Sequence, residues 1–268
     1  MDSTTFEAAR ADLAGARRDA HPLAAWPAAR RPVDLAEAYR LQSAVAADLG
    51  PIGGWKIAAI TDVQRQALGV DRPIAASLPK KSMHDSRGVV PTLKPADFIA
   101  PRLECEFAFE LAHDLPHRPG RPYLRAEVAA AVRSLRLGVE LVDWRLPRGL
   151  GALAELTDGF NNGGYVAGPA IVAWSDIDFA ATAIVLTREH DGKTETVAEG
   201  SGRAILDGDP FGTVVMLANA PPDEARGLSA GDIVTTGSCT GAPLVPGAGT
   251  YRAEFAKLGS VEFVFVER

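Results

Sequence analysis

The chain has 268 residues, 47% of them hydrophobic, with 34 acidic and 28 basic side chains and a formal net charge of −6. There is enough apolar material for a full core, and the acidic balance excludes sequence-independent nucleic-acid binding, which needs a basic face. The two cysteines form no CxxC pair, which excludes a disulfide framework and a thiolate zinc site, and no uncharged apolar run approaches the ~20 residues that span a bilayer.

The opening residues Met1-Asp2-Ser3-Thr4-Thr5-Phe6-Glu7 carry neither a basic n-region nor an apolar h-region, so a soluble cytoplasmic protein is expected. A helix is predicted over 4–19, capped by Thr4 with Glu7 and stopped by His21-Pro22. The next helix has Asp34 as N-cap, Glu37 three residues on, and Gly50-Pro51 after its end. Its apolar stripe is Leu35, Ala38, Leu41, Val45 and Leu49. A short strand follows over 53–60, carrying Lys56 between Trp55 and Ile57. Thr61 caps a brief helix that ends at Leu68-Gly69; residues 70–78 read as a loop and 79–99 as strands and turns.

In 101–111, Leu103, Cys105, Phe107, Phe109 and Leu111 alternate with Arg102, Glu104, Glu106, Ala108 and Glu110, the signature of a β-strand. A loop over 116–122, a helix over 124–135 and a strand over 138–144 with Glu140 and Asp143 come next. Residues 158–164 read as a glycine-rich loop that permits left-handed backbone. Asp191-Gly192 marks a hairpin between 183–190 and 193–198. Asp209-Pro210 opens a helix through Ala220, 231–236 is a strand, and 251–255 with 260–266 form a closing hairpin. Helices first, a mixed middle and a β-rich end fit α+β better than an alternating parallel sheet. The expected division is a mixed α/β N-terminal portion, 1–78, followed by a β-rich domain, 79–268.

Three carboxylates stand out. Glu104 and Glu106 share one strand face, and Glu140 lies between Val139 and Leu141 in a segment too apolar for solvent. They are either surface or salt-bridged glutamates, or a converging set, which with water selects a hard cation such as magnesium or manganese. Lys56 is either a strand lysine reaching for water, or a desolvated ammonium near an anionic substrate, or a proton donor of lowered pKa. The stretch Gly231-Asp232-Ile233-Val234-Thr235-Thr236-Gly237 offers Thr236 and backbone N–H groups to a ligand, or is only a turn. His113 and His117 lie among prolines with no HExxH pattern and carry no assigned role.

Together Gly54-Trp55-Lys56-Ile57, Leu68-Gly69-Val70-Asp71, Pro101-Arg102-Leu103-Glu104-Cys105-Glu106, Val139-Glu140-Leu141-Val142-Asp143 and Gly231 to Gly237 resemble the 2-keto-4-pentenoate hydratase and 4-oxalocrotonate decarboxylase group of the fumarylacetoacetate hydrolase superfamily. The resemblance runs from Gly54 to the C-terminus. It implies a β-rich roll after a mixed α/β portion, with magnesium or manganese on Glu104, Glu106 and Glu140. It implies Lys56 as the catalytic residue, and Ser77, Arg102 and Thr236 as substrate-binding residues. The substrate would be a small 2-oxo acid or its dienol, and the assembly a homo-oligomer. The expected reaction is hydration of a 2-hydroxy-2,4-dienoate to a 4-hydroxy-2-oxo acid. Decarboxylation of a 2-oxo diacid, C–C hydrolysis of an acylpyruvate and a non-catalytic partner subunit are the alternatives. Ile74 stands where hydratases of this group are expected to have an aspartate, as decarboxylases of the group do not. Ala75-Ala76 replaces an aromatic-Gly pair, and Gly159 stands where asparagine is common.

Overall fold

The computed structural model describes residues 1–223 and 225–267. Helix α1, Ser3–Arg18, is capped by Asp2, whose carboxylate accepts from the Thr5 N–H, so the helix starts ahead of the expected Thr4. Helix α2, Leu35–Leu49, is capped by Asp34 through the Glu37 N–H as its sequence predicts. Strand β1, Ile52–Ala58, leads to α3, Asp62–Leu68, which has a complete capping box between Thr61 and Gln64. The segment read as a loop instead holds strand β2, Ile74–Pro79, with all of its residues buried. Its apolar run has no alternation because both faces are covered, which hides a strand from a period-2 reading. The sequence division between 78 and 79 falls inside this strand.

Short strands β3, Met83–Asp85, and β4, Thr92–Leu93, precede the long β5, Arg102–Leu111. Helix α4, Arg125–Ala131, ends earlier than expected, because β6, Val132–Val142, already begins at Val132. Val132, Ser134 and Leu135 pair with β5, and this pairing overrides the helix expected to continue through 135. Helix α5, Ala152–Thr157, arises where no element was expected, and strand β7, Asn162–Ile171, begins inside the expected 158–164 loop. Gly163, Gly164 and Gly168 weaken the strand signal of β7. Strands β8, Ala183–His190, and β9, Lys193–Ser201, form the expected hairpin, and α6, Pro210–Asn219, starts on an Asp209 cap. Strand β10, Ile233–Thr235, and the hairpin β11, Gly249–Phe255, with β12, Gly259–Phe265, complete the chain.

A seven-stranded sheet runs β2-β1-β10-β5-β6-β7-β3, and a five-stranded sheet runs β4-β12-β11-β8-β9. Only residues 80–82 separate the two edge strands β2 and β3 of the larger sheet, so that sheet must curl round on itself. Its outer face packs on the smaller sheet around Phe107, Phe109, Phe255 and Phe263, all fully buried. Its inner face carries the polar residues Glu106, Glu140 and Lys56, with a small apolar cluster of Ala108, Tyr165 and Ala167. Helices α1, α2 and α5 hold a separate core of Leu13, Trp26, Leu41 and Val45. No described helix is long and apolar enough to cross a membrane.

Strand β1 lies parallel to β10, with Gly54 opposite Ile233. A Cβ at Gly54 would land on the Ile233 carbonyl, so the strand carrying Lys56 reaches its place only because residue 54 has no side chain. Gly54→Ala is expected to lower stability by about 1–3 kcal/mol through this overlap, seen as a lower thermal midpoint; an unchanged midpoint would contradict the close approach.

Candidate active site and metal centre

Strands β5 and β6 are antiparallel, with Glu104 directly opposite Glu140 and Glu106 opposite Gly138. Opposed residues and residues two apart share a face, so the pairing alone converges three carboxylates. One oxygen from each of Glu104, Glu106 and Glu140 lies within 4.8 Å of the others. Glu106 is 1% exposed and Glu140 0%. Burial pushes Glu104 up to about 7, with Lys56 opposing and Glu140 adding to the rise. Burial first, then Glu140 and Glu104, push Glu106 well above the usual carboxylate range, while Lys56 and the Gly237 N–H pull the other way. Glu140 Oε2 is buried without a hydrogen-bond partner among the described residues. An orphaned, water-poor oxygen among three carboxylates suits a hard divalent cation, which would satisfy that oxygen and offset the repulsion. The donor set therefore fits magnesium or manganese.

Lys56 supplies the counter-charge. Its Nζ lies 3.0 Å from Glu140 Oε1 and donates to the Phe160 carbonyl at 3.2 Å. Burial works against its charge, but Glu140, Glu104 and Glu106 prevail and hold its pKa above the ordinary lysine value. In the metal-free chain this favours the ammonium form, the direction opposite to the lowered pKa that the sequence left open as one alternative. Asn162 Nδ2 donates to the same Glu140 oxygen at 3.1 Å. Phe160 and Asn161 have φ of 50° and 63°, a left-handed conformation costing non-glycine residues roughly 1–2 kcal/mol each. That turn aims the Phe160 carbonyl at Lys56 and brings the Phe160 ring centroid 5.8 Å from its Nζ.

These groups open into a cavity of ≈ 280 Å³ lined on the charged side by Lys56, Glu104 and Glu106. Ile60, Leu68, Ala204 and Ile205 form an apolar wall, and Thr61 and Gln64 also line it. Among the described residues lining it there is no histidine.

Of the predicted site residues, Lys56, Glu104, Glu106 and Glu140 come together. Thr236 is buried, and its hydroxyl donates to the Phe107 carbonyl at 2.9 Å instead of facing the cavity. That bond holds the turn from which the Gly237 N–H donates to Glu106 Oε2 at 2.8 Å. Ser77 is paired with Trp55 in β2, on the face opposite Lys56, and lines a small crevice with Arg17 and Gln42. Arg102 donates to the Ala242 carbonyl at 2.7 Å and lies 5.8 Å above the Trp144 ring, outside the residues that line the cavity. Ile74 pairs with Ala58 on the Lys56 face and is 1% exposed. Phe160, Asn162 and Gly237 escaped the sequence reading as individual site residues; only the glycines of 159–164 hinted at an unusual turn.

The raised acid pKa values set a sign for stability against pH. Glu104 titrates at about 7 in the folded chain against a reference of 4.5, so the folded state binds more protons between those values and loses stability as pH rises through them. The metal-free protein is expected to lose on the order of 2 kcal/mol between pH 5 and 7.5. Saturating magnesium should abolish or reverse that slope. Thermal midpoints of metal-free protein that stay level over this range would contradict it.

No family model matches the chain. It is 30% identical over 215 residues to a 2-keto-4-pentenoate hydratase of Burkholderia vietnamiensis, covering 80% of this chain and 78% of that one. It is 29% identical over 216 residues to a 4-oxalocrotonate decarboxylase of Pseudomonas putida, covering 80% and 78%. The solved 4-oxalocrotonate decarboxylase of Pseudomonas putida G7, complexed with magnesium and adipate, superposes with a TM-score of 0.84 at 22% identity over 99% of each chain. That likeness, shared with a fumarylacetoacetate hydrolase family structure, identifies the fold as the expected roll. With the identity and coverage shared with the Burkholderia enzyme, the chain belongs to the 2-keto-4-pentenoate hydratase family.

Proposed function

We propose that this protein is a metal-dependent lyase that hydrates a 2-hydroxy-2,4-dienoate, through its 2-oxo-enoate form, to a 4-hydroxy-2-oxo acid. The observation that carries the reading is the meeting of Glu104, Glu106 and Glu140 within 4.8 Å, beside a buried ammonium and a cavity sized for a small acid. A bound magnesium or manganese ion, held by the three glutamates, would polarise the 2-oxo and carboxylate oxygens of the substrate. Lys56, fixed by Glu140 and the Phe160 carbonyl, is charged on the same side and stabilises negative charge developing at those oxygens. Ile60, Leu68 and Ile205 cover the hydrocarbon end of the substrate and limit access of bulk water. Thr61 and Gln64 offer hydroxyl and amide groups to orient the water that adds at the far carbon.

One observation supports decarboxylation of a 2-oxo diacid as a second reading. Ile74 presents a hydrocarbon on the Lys56 face where a water-activating carboxylate was expected, and the apolar wall would favour loss of a poorly solvated carboxylate as carbon dioxide. The reading extends to a cytoplasmic homo-oligomer. A groove lined by Ile99, Pro101, Leu244, Val245 and Phe265, with Leu244 52% exposed, supports self-association.

The purified chain with magnesium is expected to consume the dienol absorbance of 2-hydroxypenta-2,4-dienoate and yield a 4-hydroxy-2-oxo acid. Release of carbon dioxide from the matching diacid without hydration would move the assignment to decarboxylase. Metal binding with neither activity would make the chain a partner subunit. In the active protein, Lys56→Met is expected to lower kcat by about 10²-fold or more, and Glu106→Ala to abolish manganese binding and turnover together; full activity in either variant would contradict its assigned part.

A further inference from the structure

The left-handed turn that serves the site is held by charged groups that do not line the cavity. Asp158, at its start, is fully buried and takes two arginines. Arg17, in the last turn of α1, donates from Nε to Asp158 Oδ1 at 2.8 Å and from Nη2 to the Asp158 carbonyl. Arg145, just after β6, donates from Nε to Asp158 Oδ2 at 2.9 Å. The same guanidinium donates from Nη2 to the Asn162 carbonyl at 2.8 Å. One carboxylate and two guanidiniums therefore tie both ends of the turn. A planar guanidinium carries its donors in a fixed fork, which suits it to pinning a backbone in one place.

The turn makes two contacts with the site. Its Phe160 carbonyl accepts from Lys56 Nζ at 3.2 Å, and Asn162 Nδ2 donates to Glu140 Oε1 at 3.1 Å. Phe160 and Asn161, with φ of 50° and 63°, keep a conformation that persists only where the surroundings impose it. The pinned ends supply that constraint. Gly159 lets it form: its φ is +63°, and a Cβ there would come within 2.6 Å of Arg17 Nη2. The obstacle is the end of a flexible side chain, so a larger residue at 159 would push the guanidinium away from the turn.

We propose that Arg17, Asp158 and Arg145 are positioning residues for the metal centre, clamping the turn of 158–162 so that the Asn162 amide stays on Glu140 and the Phe160 carbonyl on Lys56. The N-terminal helix thereby acts on a site it does not line. The inference rests on Glu140 being a metal ligand. It gives the Asn162 bond the orienting part that outer hydrogen bonds play at metal carboxylates, where their loss weakens metal affinity by about 10–100-fold.

The test is manganese titration of metal-free protein, with free manganese read by electron paramagnetic resonance and folding checked by thermal midpoint. Arg17→Met leaves Asp158 its bond to Arg145, and Gly159→Asn displaces the Arg17 guanidinium while keeping a residue that tolerates positive φ. Each is expected to weaken manganese about tenfold, as is Asn162→Ala. Arg17→Met combined with either of the others should lose little more than the single variants, because all three act through one turn. Arg10→Met removes a different ion pair of α1, the one to Asp48, and should leave manganese affinity at the wild-type value. Arg17→Met or Gly159→Asn binding manganese like wild type, losses that simply add, or an equal loss in Arg10→Met would overturn the inference and leave the metal centre standing. A wild type that binds no manganese overturns both.

Discussion

Two buried carboxylates and a half-buried third, faced by one ammonium, set the terms for the rest of this molecule. Strand pairing forces Glu104 and Glu140 opposite one another, and Glu106 onto the same face. Charges so placed away from water repel, and protons or a cation must answer them. Lys56 answers part of that charge and is itself kept protonated by it. The remainder is what makes the site a receptor for a divalent ion.

Much local structure serves to hold that arrangement. Gly54 lets β1 approach β10 closely enough to deliver Lys56. Gly138 clears room for the Tyr165 hydroxyl on the inner face of the sheet. The left-handed Phe160–Asn161 turn directs a carbonyl at Lys56 and is followed by Asn162, which binds Glu140. Asp143, on the same segment as Glu140, accepts from the Ile99 and Ala100 N–H groups, tying the entry to β5 onto the end of β6. Backbone strain at Phe160 and Asn161 is tolerated because the packed elements on either side determine the turn.

The charged strand was legible in the sequence because its two faces differ so sharply: five apolar residues alternate with a face carrying three glutamates. Glu140 was legible as a misplaced charge in an apolar run, and Asp34, Thr61 and Asp209 marked helix starts that the structure keeps. Strand β2 was not legible, since a strand covered on both faces lacks alternation. The start of β6 was masked by an alanine-rich preface, although its 138–142 half was read as a strand, and β7 was masked by its glycines. Thr236 read as a ligand-binding hydroxyl because sequence cannot show that the Phe107 carbonyl takes its proton. Ser77 and Arg102 lie near the charged strands in sequence pattern, but the pleat and the Trp144 side direct them elsewhere. Phe160, Asn162 and Gly237 act through backbone geometry or one hydrogen bond, and single-sequence periodicity carries no trace of either.

The central claim is that one divalent ion sits between the two glutamate-bearing strands and grips the chelating end of a 2-oxo acid. A crystal structure of the protein grown with manganese and oxalate tests it most directly, because manganese is located by its anomalous signal and oxalate carries the same paired oxygens. The account predicts a single anomalous peak bonded to Glu104, Glu106 and Glu140, with oxalate completing its coordination near Lys56. Manganese bound elsewhere, or a cavity that leaves those three carboxylates without metal at saturating concentration, would contradict it.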